Sequence, residues 1–130
     1  MAKGVHADYQ PSQRPNGIGL SPTEDVLYVT YTNEGALRSF PLASDGSPGG
    51  ETVLATDLLV PDGMSVDAAG NLFVATFDEV VVLAPDGSRW GSIEVPFPTH
   101  CAFGDADLRT LYITSRTALH SVRLTNAGRP

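Results

Sequence analysis

Three features of the 130-residue sequence predict an all-β chain made of three four-stranded antiparallel units. One kind of segment recurs three times along the chain. The apolar runs are short and rich in Val, Leu, Tyr and Phe, as strands are. Gly and Pro fall between these runs instead of in one tract, which is the punctuation that many strands with many turns require.

The repeat sets the order of the elements. Pro15-Asn16-Gly17-Ile18-Gly19-Leu20-Ser21 leads to Val26-Leu27-Tyr28-Val29-Thr30. Pro61-Asp62-Gly63-Met64-Ser65-Val66-Asp67 leads to Asn71-Leu72-Phe73-Val74-Ala75, and Pro98-Thr99-His100-Cys101-Ala102-Phe103-Gly104 leads to Thr110-Leu111-Tyr112-Ile113-Thr114. The prolines are 46 and 37 residues apart, a spacing suited to propeller blades. A third strand follows in each unit: Ala36-Leu37-Arg38-Ser39-Phe40, Glu79-Val80-Val81-Val82-Leu83 and Ala118-Leu119-His120-Ser121-Val122. Turn residues come next, at Ser44 to Gly50, Pro85 to Ser88 and Thr125 to Gly128. A fourth strand closes the first two units, within Glu51 to Leu59 and Trp90 to Val95. The third unit has none of its own, and Val5 to Tyr9, ahead of the first unit, are placed to supply one. The resulting division is an N-terminal segment at 1–14, a possible closing strand, then blade one at 15–60, blade two at 61–97 and blade three at 98–130.

Runs such as Leu27-Tyr28-Val29 and Val80-Val81-Val82-Leu83 are apolar at every position, so both faces of each sheet are expected to be covered. Three blades cannot close a ring. Alone, they would leave apolar faces and strand edges open to water. Two copies give six blades, a common propeller number, so the sequence predicts half of a six-bladed β-propeller completed by a homodimer. The alternative completion is a missing N-terminal half.

Composition narrows the function classes. The net charge is −7, with one lysine, Lys3, and seven scattered arginines, so neither nucleic acid nor an anionic membrane is an expected partner. Cys101 is the single cysteine, which excludes an intramolecular disulfide and fits a reducing, cytoplasmic setting. Met1 to His6 lacks the apolar core of a signal peptide, and no run approaches the ~20 apolar residues of a membrane span.

The chemistry is expected where the blades converge, at the first residues of the innermost strands. Asn16 offers a carbonyl oxygen and Asp62 a carboxylate, hard ligands suited to Ca²⁺, Mg²⁺ or Mn²⁺; the competing reading is that Asn-Gly and Asp-Gly simply begin turns. His100 is read as third in the series Asn16, Asp62, His100, facing the channel, where it could bind metal or shuttle protons, or else as a hydrogen-bonded histidine without a role. His6 and His120 are read as surface residues, and Cys101 as a small core residue. Ser21 and Ser65 lack the spacing of a nucleophile elbow. Asp67, Asp86, Asp105 and Asp107 are read as solvated turn residues, and Trp90 and Tyr112 as packing between blades.

From Pro15 to about Thr125 the sequence resembles the regucalcin (senescence marker protein)/gluconolactonase/luciferin-regenerating enzyme family. The resemblance is carried by Pro15-Asn16-Gly17-Ile18 with Leu27-Tyr28-Val29, by Pro61 to Asp67 with Gly70-Asn71-Leu72, and by Cys101-Ala102-Phe103-Gly104 with Leu111-Tyr112-Ile113-Thr114. It implies the last three blades of a six-bladed propeller with one divalent cation in its channel, Ca²⁺ first and Mn²⁺, Mg²⁺ or Zn²⁺ as alternatives. Asn16 and Asp62 match two of the family's three metal ligands. The blade that bears the third, a glutamate, is absent, as is the blade with a substrate-contacting asparagine. In a two-fold ring, Asn16 of the partner subunit would take the place of the glutamate, and His100 of the partner subunit that of the asparagine. The implied activity is metal-dependent hydrolysis of small lactones or related esters, with Asp62 as general base. The rival is a half-propeller that binds or scaffolds without a catalytic metal.

Overall fold

The computed structural model describes residues 13–129. Among the described residues there are strands and no helix. The first sheet holds β1 (Pro15–Leu20), β2 (Val26–Tyr31), β3 (Ala36–Pro41) and β4 (Thr52–Ala55), paired in that order. The second holds β5 (Met64–Val66), β6 (Leu72–Ala75), β7 (Glu79–Leu83) and β8 (Arg89–Glu94), again in order. The third holds β9 (Pro98–Gly104), β10 (Thr110–Ser115) and β11 (Leu119–Arg123), with no fourth strand among the described residues. All pairings are antiparallel. Val5 to Tyr9 lie outside the described residues.

These sheets are propeller blades, stacked face to face. β1 packs against β5 and β5 against β9, so the first strand of each blade is the inner one. Between blades one and two lie Tyr28, Leu37, Leu58, Met64, Val66, Leu72, Val74, Val81 and Leu83. Between blades two and three lie Phe73, Val80, Val95, Cys101, Leu111 and Ile113. Blade two is therefore buried on both faces, and this is why β6 reads Leu-Phe-Val-Ala with no alternation. Each fully buried Leu, Val or Ile in these layers contributes on the order of 1.5–3 kcal/mol.

Two expectations need correction. Asp67 is not solvated: it is 1% exposed, and its carboxylate accepts the N–H groups of Ala69 and Asn71 and the Asn71 side-chain amide, each at 2.8–2.9 Å. A turn aspartate becomes buried here because the chain after β11 returns over it, bridging Asp67 to Gly128. Trp90 does not pack between blades but stands 73% exposed. The β7–β8 register jumps from Val82↔Gly91 to Leu83↔Arg89, so Trp90 is the extra residue of a bulge, and it stands at the open rim of a groove lined by Phe73, Val82, Ile93 and Leu124. Tyr112, at the position of Tyr28 and Phe73, is 37% exposed on the face of blade three that no described residue covers, so its packing between blades awaits a neighbour.

Asp86, Asp105 and Asp107 are exposed. Asp86 caps its own turn through Ser88, while Asp105 and Asp107 pair with Arg123. His120, on β11, is half-buried and shares a hydrogen bond with Ser115.

Candidate functional site at the strand openings

Each inner strand begins in the same way. Arg14, Val60 and Phe97, directly before Pro15, Pro61 and Pro98, all have left-handed backbone, with φ of 51°, 50° and 53°. The proline that follows is set at the start of the inner strand, where its missing N–H is no loss. Two residues then face a single residue of the second strand. Asn16 and Gly17 stand against Thr30, where the register skips from Pro15↔Tyr31 to Ile18↔Val29. Asp62 donates its N–H to the Ala75 carbonyl while Gly63 accepts from the Ala75 N–H. Thr99 falls in the skip between Thr114↔His100 and Ser115↔Pro98. A two-on-one bulge repeated at each opening twists the strand there and re-aims the first side chain.

Registers also number the positions. Ile18, Met64 and Cys101 oppose Val29, Val74 and Ile113. Counting back, Asn16, Asp62 and Thr99 are equivalent, and Gly17, Gly63 and His100 are equivalent. The series read from the sequence was one residue off in blade three, where Thr99 holds the place expected for His100. The signal was present: Pro98 stands one residue before Thr99, as Pro15 and Pro61 stand before Asn16 and Asp62.

The openings are stitched to one another. Gly17 N–H donates to Thr30 Oγ1 at 2.6 Å, and Thr30 Oγ1 donates to the Asp62 carbonyl at 2.8 Å. Asn16 Nδ2 donates to Thr32 Oγ1 at 3.1 Å, and Thr32 Oγ1 donates to the Pro61 carbonyl at 2.8 Å. Gly63 N–H donates to the Thr99 carbonyl at 2.9 Å. Both threonines are buried, so these are well-protected bonds. Glycine is required at two of the three positions. A Cβ on Gly17 would run into the Asp62 carbonyl oxygen, and one on Gly63 into the His100 ring and the Thr99 carbonyl.

Asn16 is exposed and commits its amide nitrogen to Thr32, which leaves its carbonyl oxygen as the group available to a cation. Asp62 is half-buried, and its carboxylate has no hydrogen-bond or ion-pair partner among the described residues. His100 is exposed, its ring lying on Gly63. The Thr99 hydroxyl shares a 2.9 Å hydrogen bond with that of Thr114. Beside the openings, Phe77 and Phe97 meet edge to face at 5.1 Å, with the Arg116 guanidinium 5.5 Å above Phe97.

Among the described residues no three His, Cys, Asp or Glu side chains come together as a metal-binding group. The donors at the openings are nevertheless oxygens of the kind that hard divalent cations take. Elsewhere, Cys101 is 2% exposed, its thiol donates to the Phe73 carbonyl, and burial pushes its pKa up to about 12, which makes it a core residue. Ser21 is likewise buried and committed, donating to Asp25 at 2.8 Å.

A stack of antiparallel blades with polar side chains at the openings of the inner strands defines a segment of a β-propeller with its site at the convergence of the blades. A family profile described as the SMP-30/Gluconolactonase/LRE-like region matches residues 2–117, and the chain belongs to that family. It is 41% identical to a 6-deoxy-6-sulfogluconolactonase of Pseudomonas putida over 77% of this chain and 37% of that protein. The structure of a gluconolactonase from Xanthomonas campestris superposes with a TM-score of 0.78 at 30% identity, covering 86% of this chain and 38% of the other. That of a calcium-binding protein, regucalcin, from Agrobacterium tumefaciens does so with a TM-score of 0.78 at 25% identity, covering 88% and 47%. The chain thus spans less than half the length of the relatives it matches.

Proposed function

We propose that the chain provides half of the active site of a divalent-cation-dependent hydrolase of sugar lactones, working in a completed ring. The observation that carries the reading is the Asp62 carboxylate, half-buried, unpaired among the described residues and held beside Asn16 by the Thr30 and Thr32 bonds. The relatives that are gluconolactonases, and the one that is a calcium-binding regucalcin, support the substrate class and the cation.

Asn16 and Asp62 would hold the cation through oxygen, with Ca²⁺ the best match to a carboxylate and a neutral carbonyl. When bound, the cation supplies Lewis acidity toward the lactone carbonyl and an acidified water. Asp62 takes a proton at Oδ from the water that adds to the carbonyl carbon. A bond forms from water oxygen to that carbon, the ring C–O bond breaks, and the proton passes to the leaving alkoxide. The stitched backbone keeps the Asp62 carboxylate in place while it does so, which limits the reorganisation needed during the reaction. Two protein donors are too few for a tight Ca²⁺ site even with waters filling other positions, so a further protein oxygen must come from the rest of the ring.

The test is hydrolysis of gluconolactone followed by pH-stat, with and without chelator, for wild type and Asp62→Ala. Activity that chelator abolishes and Ca²⁺ restores, and that Asp62→Ala lowers at least ~100-fold, is the expected result. Equal rates for wild type and variant would mark the chain as a non-catalytic module instead.

A further inference from the structure

Every blade has two faces, and the pairing registers allow the same positions to be compared across all three. The front, turned toward the following blade, carries Tyr28 and Leu37 in blade one and Phe73 and Val80 in blade two. These are 6%, 0%, 6% and 0% exposed. Their equivalents in blade three are Tyr112 and Leu119, which are 37% and 69% exposed.

The back, turned toward the preceding blade, carries Met64, Leu72 and Val74 in blade two and Cys101, Leu111 and Ile113 in blade three, none more than 2% exposed. In blade one the same places hold Ile18, which is 63% exposed, and Leu27 and Val29, which are half-buried.

The two faces that no described residue covers are thus the two halves of an interface the chain already forms twice internally. Small residues complete the match. Gly19 on the front of blade one receives Met64, and its equivalent on the front of blade three is Ala102, opposite Tyr112 as Gly19 is opposite Tyr28.

We infer that the front of blade three docks on the back of blade one of a second copy of this chain, head to tail, and that two such contacts close a six-bladed ring. A second copy is the occupant because this chain carries both halves of the contact, so a two-fold axis satisfies both faces at once. Apolar side chains, an aromatic ring and a small receiving residue make up the core of that interface, as in a protein interior. Each copy then brings its Asn16, Asp62 and Thr99 to one shared cavity. The inference supplies the ring on which the proposed function rests, but it is read out by mass, so a dimer without lactonase activity leaves it standing.

The experiment is light scattering after size exclusion on the full chain and on two variants, Leu119→Arg on the front and Ile18→Arg on the back. Both residues are exposed in the single copy, and far-UV circular dichroism checks that the sheets survive. Wild type is expected at twice the mass of the chain. Each variant alone spoils both contacts of a ring and should be monomeric, its dimer dissociation constant raised at least ~100-fold. Mixing the two variants leaves one contact with both faces intact and should restore dimers. Trp90→Arg, equally exposed but off both faces, should remain dimeric. If Leu119→Arg loses its sheets, Thr114→Arg on the same face replaces it. A compact wild-type monomer overturns the inference and points to a different chain as the cover. A dimer that survives either single variant overturns the head-to-tail geometry.

Discussion

Gly17 lies so close against the carbonyl oxygen of Asp62 that a single methyl group would overlap it. The openings of blades one and two therefore meet backbone to backbone, and the distance between Asn16 and Asp62 is set by the lack of a side chain at the next residue.

Replacing Gly17 with alanine should force these openings apart. The expected cost is about 1–3 kcal/mol, the range for overpacking a tight interior. Gly91→Ala is the control, because nothing lies within 4 Å of a Cβ there. Urea unfolding of both variants checks the difference; equal midpoints would remove the close approach from the account.

Thr30 uses one hydroxyl twice, accepting from Gly17 N–H and donating to the Asp62 carbonyl. Thr30→Val keeps the shape and leaves both backbone groups without that partner, which should cost roughly 1–3 kcal/mol. Thr30→Ser retains the hydroxyl and should recover most of the loss. Chelator-sensitive activity should fall with Thr30→Val and return with Thr30→Ser, since the same bond holds Asp62 in position.

The left-handed residues before the prolines store strain. Val60 is β-branched and has φ of 50°, a conformation that such side chains strongly disfavour. Val60→Gly should therefore leave stability unchanged or raise it by up to about 1 kcal/mol, even though glycine usually loosens a chain. A clear drop in melting temperature would show that the half-exposed Val60 side chain contributes more than its strain costs.

Much of this was legible in the sequence because the repeat is written in local chemistry. Three prolines, each leading to an apolar run, mark the inner and second strands, and the absence of alternation in Leu72 to Ala75 marks a sheet covered on both sides. Asn16 and Asp62 are marked by the proline before each at the opening of an inner strand, and both offer oxygen ligands. Thr99 also follows a proline, but His100 is the next residue with ligand chemistry and stands where the other blades have glycine; only the pairing registers, which are long-range, give Thr99 the equivalent place. The burial of Asp67 depends on contact with Gly128, sixty-one residues later in the chain, and no local pattern announces it. Trp90 was misplaced for the opposite reason. It lies in a strand as expected, but as the extra residue of a bulge it stands at the open rim of a groove.

Cys101 links the buried layer to the response to pH. Burial raises its thiol to about 12, against about 8.5 for a free thiol. The folded chain therefore binds this proton more tightly than the unfolded chain does. The stabilisation is complete below the unfolded value and is lost as pH rises from about 8.5 toward 12. Tyr28, whose phenol burial also raises, adds a loss of the same sign further along the alkaline limb. Cys101→Ala should lower stability at pH 7 by about 1–2 kcal/mol through the lost volume, yet flatten the fall between pH 8.5 and 10. Urea midpoints at pH 7, 8.5 and 10 for both proteins separate the two effects. Parallel curves would mean that the thiol is not desolvated, and with it the tight contact of Cys101 and Phe73 between blades two and three would fail.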